Sequence, residues 1–217
     1  AEWRSGSAQQ SLLVRSVDGR QAYTREGNLD LEEGSVEMRV ALREDGGSEL
    51  YRQSRTLLSY TSAGGDNFTI TQAGAAGIVY FGGTVQGQWQ SAYGGRGLMR
   101  GWLAGEKHHL MATWSVKQNR MRFFVDGVLA ADTNEGHYWA AGASRSTFTL
   151  DATAYEISDV VLWRKPLDLE EVRAHAQRED SPRAGELWFP VAELQEGDGL
   201  LFSSGECTAD ALVWQGV

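Results

Sequence analysis

Hydrolysis of a glycosidic bond needs two carboxylates flanking it, one as acid and one as nucleophile or base. The string Glu-x-Asp-x-x-Glu, whose first two acids would share one face of a strand, does not occur in this sequence. The nearest groupings are Glu156 to Asp159 in EISD and Asp30, Glu32 and Glu33 in DLEE, and neither has that spacing. The EISD acids read as contacts at a strand start and turn, with a structural calcium at Asp159 as the other reading. His108 and His109 are adjacent on a predicted strand, so they point to opposite faces and cannot chelate one ion; His109 reads as a packing or hydrogen-bonding residue. His-Glu-x-x-His, Gly-x-Ser-x-Gly and phosphate-loop strings are absent, and the glycines of GGRGLMRG miss the dinucleotide spacing by one residue. Cys207 lies between acids, which do not stabilise a thiolate, and reads as a bystander thiol.

Binding chemistry is better represented than catalysis. The chain holds 8 Trp, and an aromatic face suits either a sandwich core or the apolar face of a sugar ring. Trp114 and Trp163 alternate with aliphatic neighbours and read as core. Trp89 and Tyr93 in QGQWQSAYGGRG, with Tyr138 and Trp139 in EGHYWAAG, occur in glycine-rich, loop-like segments and are the candidates for a binding surface. Arg96, near the end of the first segment, and Arg100 just beyond it offer donors to a carboxylated or sulfated ligand.

The elements that must position these groups are short strands. Val36, Met38, Val40 and Leu42 alternate with Glu37, Arg39 and Ala41, the period of a strand with one buried face, and Gly34 reads as the turn before it. Further β-rich runs cover 57–60, 68–71, 78–81, 110–114, 121–125, 148–150 and 157–163. Asp126-Gly127 between MRFFV and VLAA predicts a two-residue type I′ hairpin. One helix is expected after Asp168: Asp168 caps it, Glu171 reaches back, and Leu167 and Val172 form a hydrophobic staple. Twenty-six Gly against 3 Pro suit many tight turns. These features predict an all-β chain, a two-sheet antiparallel β-sandwich (jelly roll) with one short surface helix. A single domain over 1–217 is expected, with 183–217 as closing strands, since a tail of that length is too short for its own core.

The formal net charge of -9 argues against nucleic acid as partner, because phosphate binding needs a clustered basic surface. No apolar run of about 18 residues is present to insert in a membrane. The amino end AEWRSGSAQQ lacks a basic-then-apolar leader, in keeping with a leader already removed. One Cys cannot close an internal disulfide, so the core must carry stability alone.

In order along the chain, GNLDLEEGSVEMRVAL, LLSYTSAGGDNFTI, GEKHHLMATW, MRFFVDGVLAA and ISDVVLWRKPLDLEEV resemble the laminin-G-like members of the concanavalin-A-like lectin and glucanase superfamily, over about Gly27 to Ala176. The resemblance implies a two-sheet sandwich, extracellular or periplasmic, that binds glycans, proteins or calcium. SYTSAGGDNFTI is similar to the pentraxin segment whose Asp-Asn pair ligates calcium, which maps onto Asp66 and Asn67; calcium wants further oxygen ligands. The second acidic loop of pentraxins is missing, and Met111 stands where one of their paired Cys would fall. Asn67-Phe68-Thr69 is also a formal glycosylation acceptor. The expectation is a non-catalytic module that binds a glycan or cell-surface polysaccharide, or adheres to a surface, with calcium as a structural ion. A polysaccharide-degrading enzyme, and a structural or protein-interaction domain of a larger surface protein, stay open as alternatives.

Overall fold

The computed structural model describes residues 11–24, 30–61, 65, 67–85, 87–94, 96–134, 147–177, 191–192 and 211–214. Among them the strands are β1 (Ser11–Val17), β2 (Arg20–Thr24), β3 (Glu33–Leu42), β4 (Arg55–Thr61), β5 (Asn67–Ala73), β6 (Ile78–Val85), β7 (Gln88–Tyr93), β8 (Lys107–Ser115), β9 (Arg120–Val125), β10 (Val128–Thr133), β11 (Thr147–Asp151), β12 (Tyr155–Trp163), β13 (Val191–Ala192) and β14 (Ala211–Trp214). One α-helix, α1, covers Leu169–Ala176. The strands form an eight-stranded sheet, β10-β9-β8-β3-β12-β1-β14-β13, and a six-stranded sheet, β2-β11-β4-β5-β6-β7. Neighbouring strands in both run antiparallel. The chain is the predicted antiparallel sandwich. Residues 191–192 and 211–214 pair into the larger sheet beside β1.

Alternation explains the core. Val36, Met38, Val40 and Leu42 of β3 face inward with Leu110, Ala112 and Trp114 of β8. Opposite them lie Phe148 and Leu150 of β11, Leu58 and Tyr60 of β4, Phe68 and Ile70 of β5, and Phe81 of β6. The Trp114 ring sits 5.6 Å from that of Phe68 and 5.8 Å from that of Phe81. Its indole Nε1 donates to the Asp30 carbonyl at 3.0 Å, so the one polar atom of this buried ring is satisfied.

Three expectations need correction here. Gly34 lies inside β3 rather than in a turn; a Cβ there would stand 2.5 Å from Trp114 Cζ2 and 2.8 Å from the Trp163 carbonyl oxygen, so the strand needs a residue with no side chain at this crossing. Nor does β3 have only one buried face: Ser35, Glu37 and Ala41 are also buried. The outer side of this strand is covered by α1, which a period-2 pattern cannot reveal. Trp163 is half-buried beneath α1 and packs in a second cluster with Met111, Phe124, Leu167 and Val172, not in the main core.

The predicted hairpin and cap are present. Asp126 and Gly127 have φ of 51° and 75°, as a type I′ turn requires. Asp168 accepts from the backbone N–H groups of Glu170 and Glu171, and Glu171 Oε2 accepts from the Asp168 N–H, each at 2.9 Å. Leu167 and Val172 are buried side by side. Asp168→Ala therefore removes a capping box, and is expected to lower unfolding free energy by about 1 kcal/mol, read as a lower urea midpoint at unchanged m-value.

Candidate functional site

The two outer faces of the sandwich differ. On the eight-stranded sheet, α1 is seated over β3, β8 and β12. It is pinned by a buried polar cluster: Glu37 accepts from His175 Nδ1 at 2.8 Å, His109 Nε2 at 3.2 Å and Trp163 Nε1 at 3.3 Å. Burial pushes the Glu37 carboxyl up, but the His109 and His175 hydrogen bonds and charges outweigh it and hold it at about 2. The reading of His109 as a hydrogen-bonding residue holds, and the two histidines do take opposite faces. His108 stacks on Trp102 at 3.7 Å between ring centroids and meets Asp126 Oδ2 at 2.8 Å.

The six-stranded sheet has no such cover among the described residues. Its outward positions follow from the registers: Ala22 pairs with Thr149, Thr149 with Ser59, Ser59 with Thr69, Thr69 with Gly82, and Gly82 with Ser91. One continuous row across six strands thus carries only Ala, Thr, Ser and Gly. At about 4.8 Å between neighbouring strands this row is roughly 24 Å long. To one side, Arg20 pairs with Asp151, and Thr56, Thr71, Tyr80 and Tyr93 lie in register with one another. On the other side stand Asn67 and Thr61, paired, and Thr84 with Trp89. The result is a trough crossing the strands, with a floor of small residues and larger walls.

Aromatic rings mark one end. Trp89 is 54% and Tyr93 59% exposed. Trp89 pairs with Thr84, yet its ring reaches back to an edge-on contact with Tyr80, 5.6 Å between centroids. Gly82 lies between Tyr80 and Thr84 on that face, and lack of a side chain there makes room; a Cβ at Gly82 would stand 2.6 Å from Ser91 Cβ. At the other end is an open depression of about 300 Å³ whose lining includes Arg20, Arg55, Ser59, Thr149, Asp151 and Tyr155. Burial pushes the Tyr155 phenol up, so it stays a neutral hydrogen-bonding group.

Of the residues singled out in the sequence, Trp89 and Tyr93 come together on this face, but in strand β7 rather than in a loop. Glycine and glutamine around them weaken the strand signal, whereas pairing with β6 supplies what propensity lacks. Arg96 is exposed in the segment after β7, and Arg100 is exposed in a short 3-10 turn, Leu98–Gly101. Tyr138, Trp139, Asp66 and Cys207 lie outside the described residues. Asn67 accepts from the Thr84 N–H at 3.3 Å through Oδ1, so its one oxygen ligand already has a backbone partner. Among the described residues no group of three or more His, Cys, Asp or Glu is placed to hold a metal ion, and Asn67 alone does not make a calcium site. Asp159 sits at a bulge in β12 with φ of 53°, where its side chain accepts from Ser158 Oγ at 3.2 Å. Sequence reasoning missed the floor residues and Arg20 and Arg55; small polar residues on strands carry no signal until the registers align them.

This sandwich is a known one among solved structures. The chain is similar to the botulinum neurotoxin serotype D binding domain, with 12% identity and TM-score 0.57 over 80% of this chain and 47% of that one. It is also similar to the receptor binding domain of botulinum neurotoxin D, at 11% identity and TM-score 0.57 over 80% and 46%. A third match is a botulinum neurotoxin type C structure described as interacting with two ganglioside molecules, at 13% identity and TM-score 0.52 over 67% and 35%. The chain thus spans less than half the length of these domains, and the likeness is one of fold. No family model and no curated protein matches the sequence. No helix among the described residues is long and apolar enough to cross a membrane.

Proposed function

We propose that this protein is a non-catalytic carbohydrate-binding module, working outside the cytoplasm, that takes an extended glycan into the trough of the six-stranded sheet. One observation carries the reading: a row of Ala, Thr, Ser and Gly across six strands, uncovered among the described residues, ends at two exposed aromatic rings, Trp89 and Tyr93. Exposed rings give a flat apolar surface for the C–H face of a sugar, and hydroxyls along the floor exchange hydrogen bonds with its hydroxyls. Neighbours of the same fold are described as receptor-binding and as interacting with gangliosides, which accords with this reading. Calcium enters it only as a structural ion near Asp66 and Asn67, and the glycan contacts named above do not require it.

The test is a polysaccharide and glycan-array screen on the intact chain, run with calcium and again with chelator. Trp89→Ala is expected to weaken binding about tenfold, equal to about 1.4 kcal/mol, with melting temperature kept. An unchanged affinity in Trp89→Ala, or no binding to any glycan in either buffer, overturns the proposal. A second reading, docking of a protein partner, draws on Val128 and Leu129, exposed by 68% and 44% on the edge strand β10. Pull-down of a partner that is lost with Leu129→Lys and kept with Trp89→Ala would favour it.

A further inference from the structure

We infer that the far end of the trough, at β2, β11 and β4, is an oxyanion subsite, so that the preferred glycan is an acidic one bearing a carboxylate or sulfate. This rests on the carbohydrate-binding reading and specifies its ligand. The depression there is lined by two guanidiniums, Arg20 and Arg55, against a single carboxylate, Asp151.

The Asp151 charge is partly spent locally: its Oδ1 accepts from Thr153 N–H at 3.0 Å and from Thr153 Oγ at 2.6 Å. Arg20 stands directly across the β2–β11 pair from Asp151. Arg55 is half-buried, and its Nε donates to the Leu50 carbonyl at 3.3 Å. Among the described residues its two terminal nitrogens have no hydrogen-bond partner and no carboxylate within ion-pair distance.

A half-buried guanidinium held by Nε in the lining of a depression, its remaining donors without a partner among the described residues, suits an anion, because those donors match two oxygens of a carboxylate or sulfate at once. Ser59 and Thr149 are paired on the floor beside it and offer hydroxyls to the same group. The lining of this depression sets two cationic side chains beside one carboxylate, on a chain of formal net charge -9. General attraction of polyanions is therefore unavailable, and any acidic ligand must be held locally. Aromatic rings at one end and guanidiniums at the other also give the trough polarity, fixing which way a chain lies in it.

Binding of the full chain to hyaluronan (carboxylate only), dextran sulfate (sulfate) and dextran (neutral) tests this by calorimetry at low and moderate salt. At least one acidic polymer is expected to bind about tenfold more tightly than dextran, weakening as salt rises. Arg55→Gln, and Arg20→Gln with Arg55→Gln, should abolish that preference while leaving melting temperature in place. Which acidic polymer wins says whether carboxylate or sulfate is the group. Equal affinity for neutral and acidic polymers, or a preference that survives Arg55→Gln, overturns the oxyanion subsite and leaves the trough reading standing. If none of the polymers binds, and a neutral-glycan array is also blank, both fall together.

Discussion

Glu37→Gln is expected to destabilise the protein by about 3–5 kcal/mol at pH 7, the loss seen when one partner of a buried charged cluster is removed. Three donors converge on this carboxylate, from His109, His175 and Trp163, and an amide cannot accept from all of them. Urea denaturation measures the loss. A triple change, Glu37→Leu with His109→Leu and His175→Leu, should recover most of it, because apolar groups of similar volume leave no buried charge unpaired. If the triple variant is no more stable than Glu37→Gln, the cluster contributes through shape rather than charge.

The same group sets an acid limit. Its carboxyl is held at about 2, below the ordinary value of 4.5, so the folded state binds the proton less well than the unfolded one. The stabilisation is fully present above about pH 4.5 and is lost as pH falls toward 2. At about 1.4 kcal/mol per pH unit this amounts to roughly 3 kcal/mol. Denaturation midpoints at pH 6 and pH 3 should differ by a large part of that in the native chain and by much less in the triple variant. Because α1 lies on the opposite sheet from the trough, Glu37→Gln should leave glycan affinity unchanged at temperatures where the variant is folded.

The second large effect is on binding. Ser59→Trp places a bulky side chain at the centre of the trough floor, outward from β4, between Thr149 and Thr69. Its neighbours across the strands are small, so the ring has room without entering the core and stability should change by less than about 0.5 kcal/mol. A ligand that crosses this point loses its path, and affinity should fall by about a hundredfold, close to 2.7 kcal/mol. Arg96→Ala, by contrast, changes a residue after β7 that the trough does not include and should have little effect. Native affinity in Ser59→Trp would place the glycan elsewhere on the surface, whatever Trp89→Ala does.

The sequence by itself was enough for the sandwich class, the β9–β10 hairpin and the cap of α1. Each is decided locally: alternation of Val36, Met38, Val40 and Leu42, positive φ at Asp126-Gly127, and the Asp168 and Glu171 pair act within a few residues. It also singled out Trp89 and Tyr93, because large aromatic residues beside glycines stand out against a strand background. What only the tertiary structure decided is which sheet face α1 covers and which is left open among the described residues. Glu37 and His175 are 138 residues apart, and no local pattern says that a helix will bring them to 2.8 Å. The trough is the same kind of fact: its floor takes one small residue from each of six strands between Ala22 and Thr149, and only strand order and register put them in one row. Arg55 looks in the sequence like any solvated arginine, and it acquires meaning from a bulge in β4 and the neighbouring β11, which enclose it beside Thr149 and Asp151.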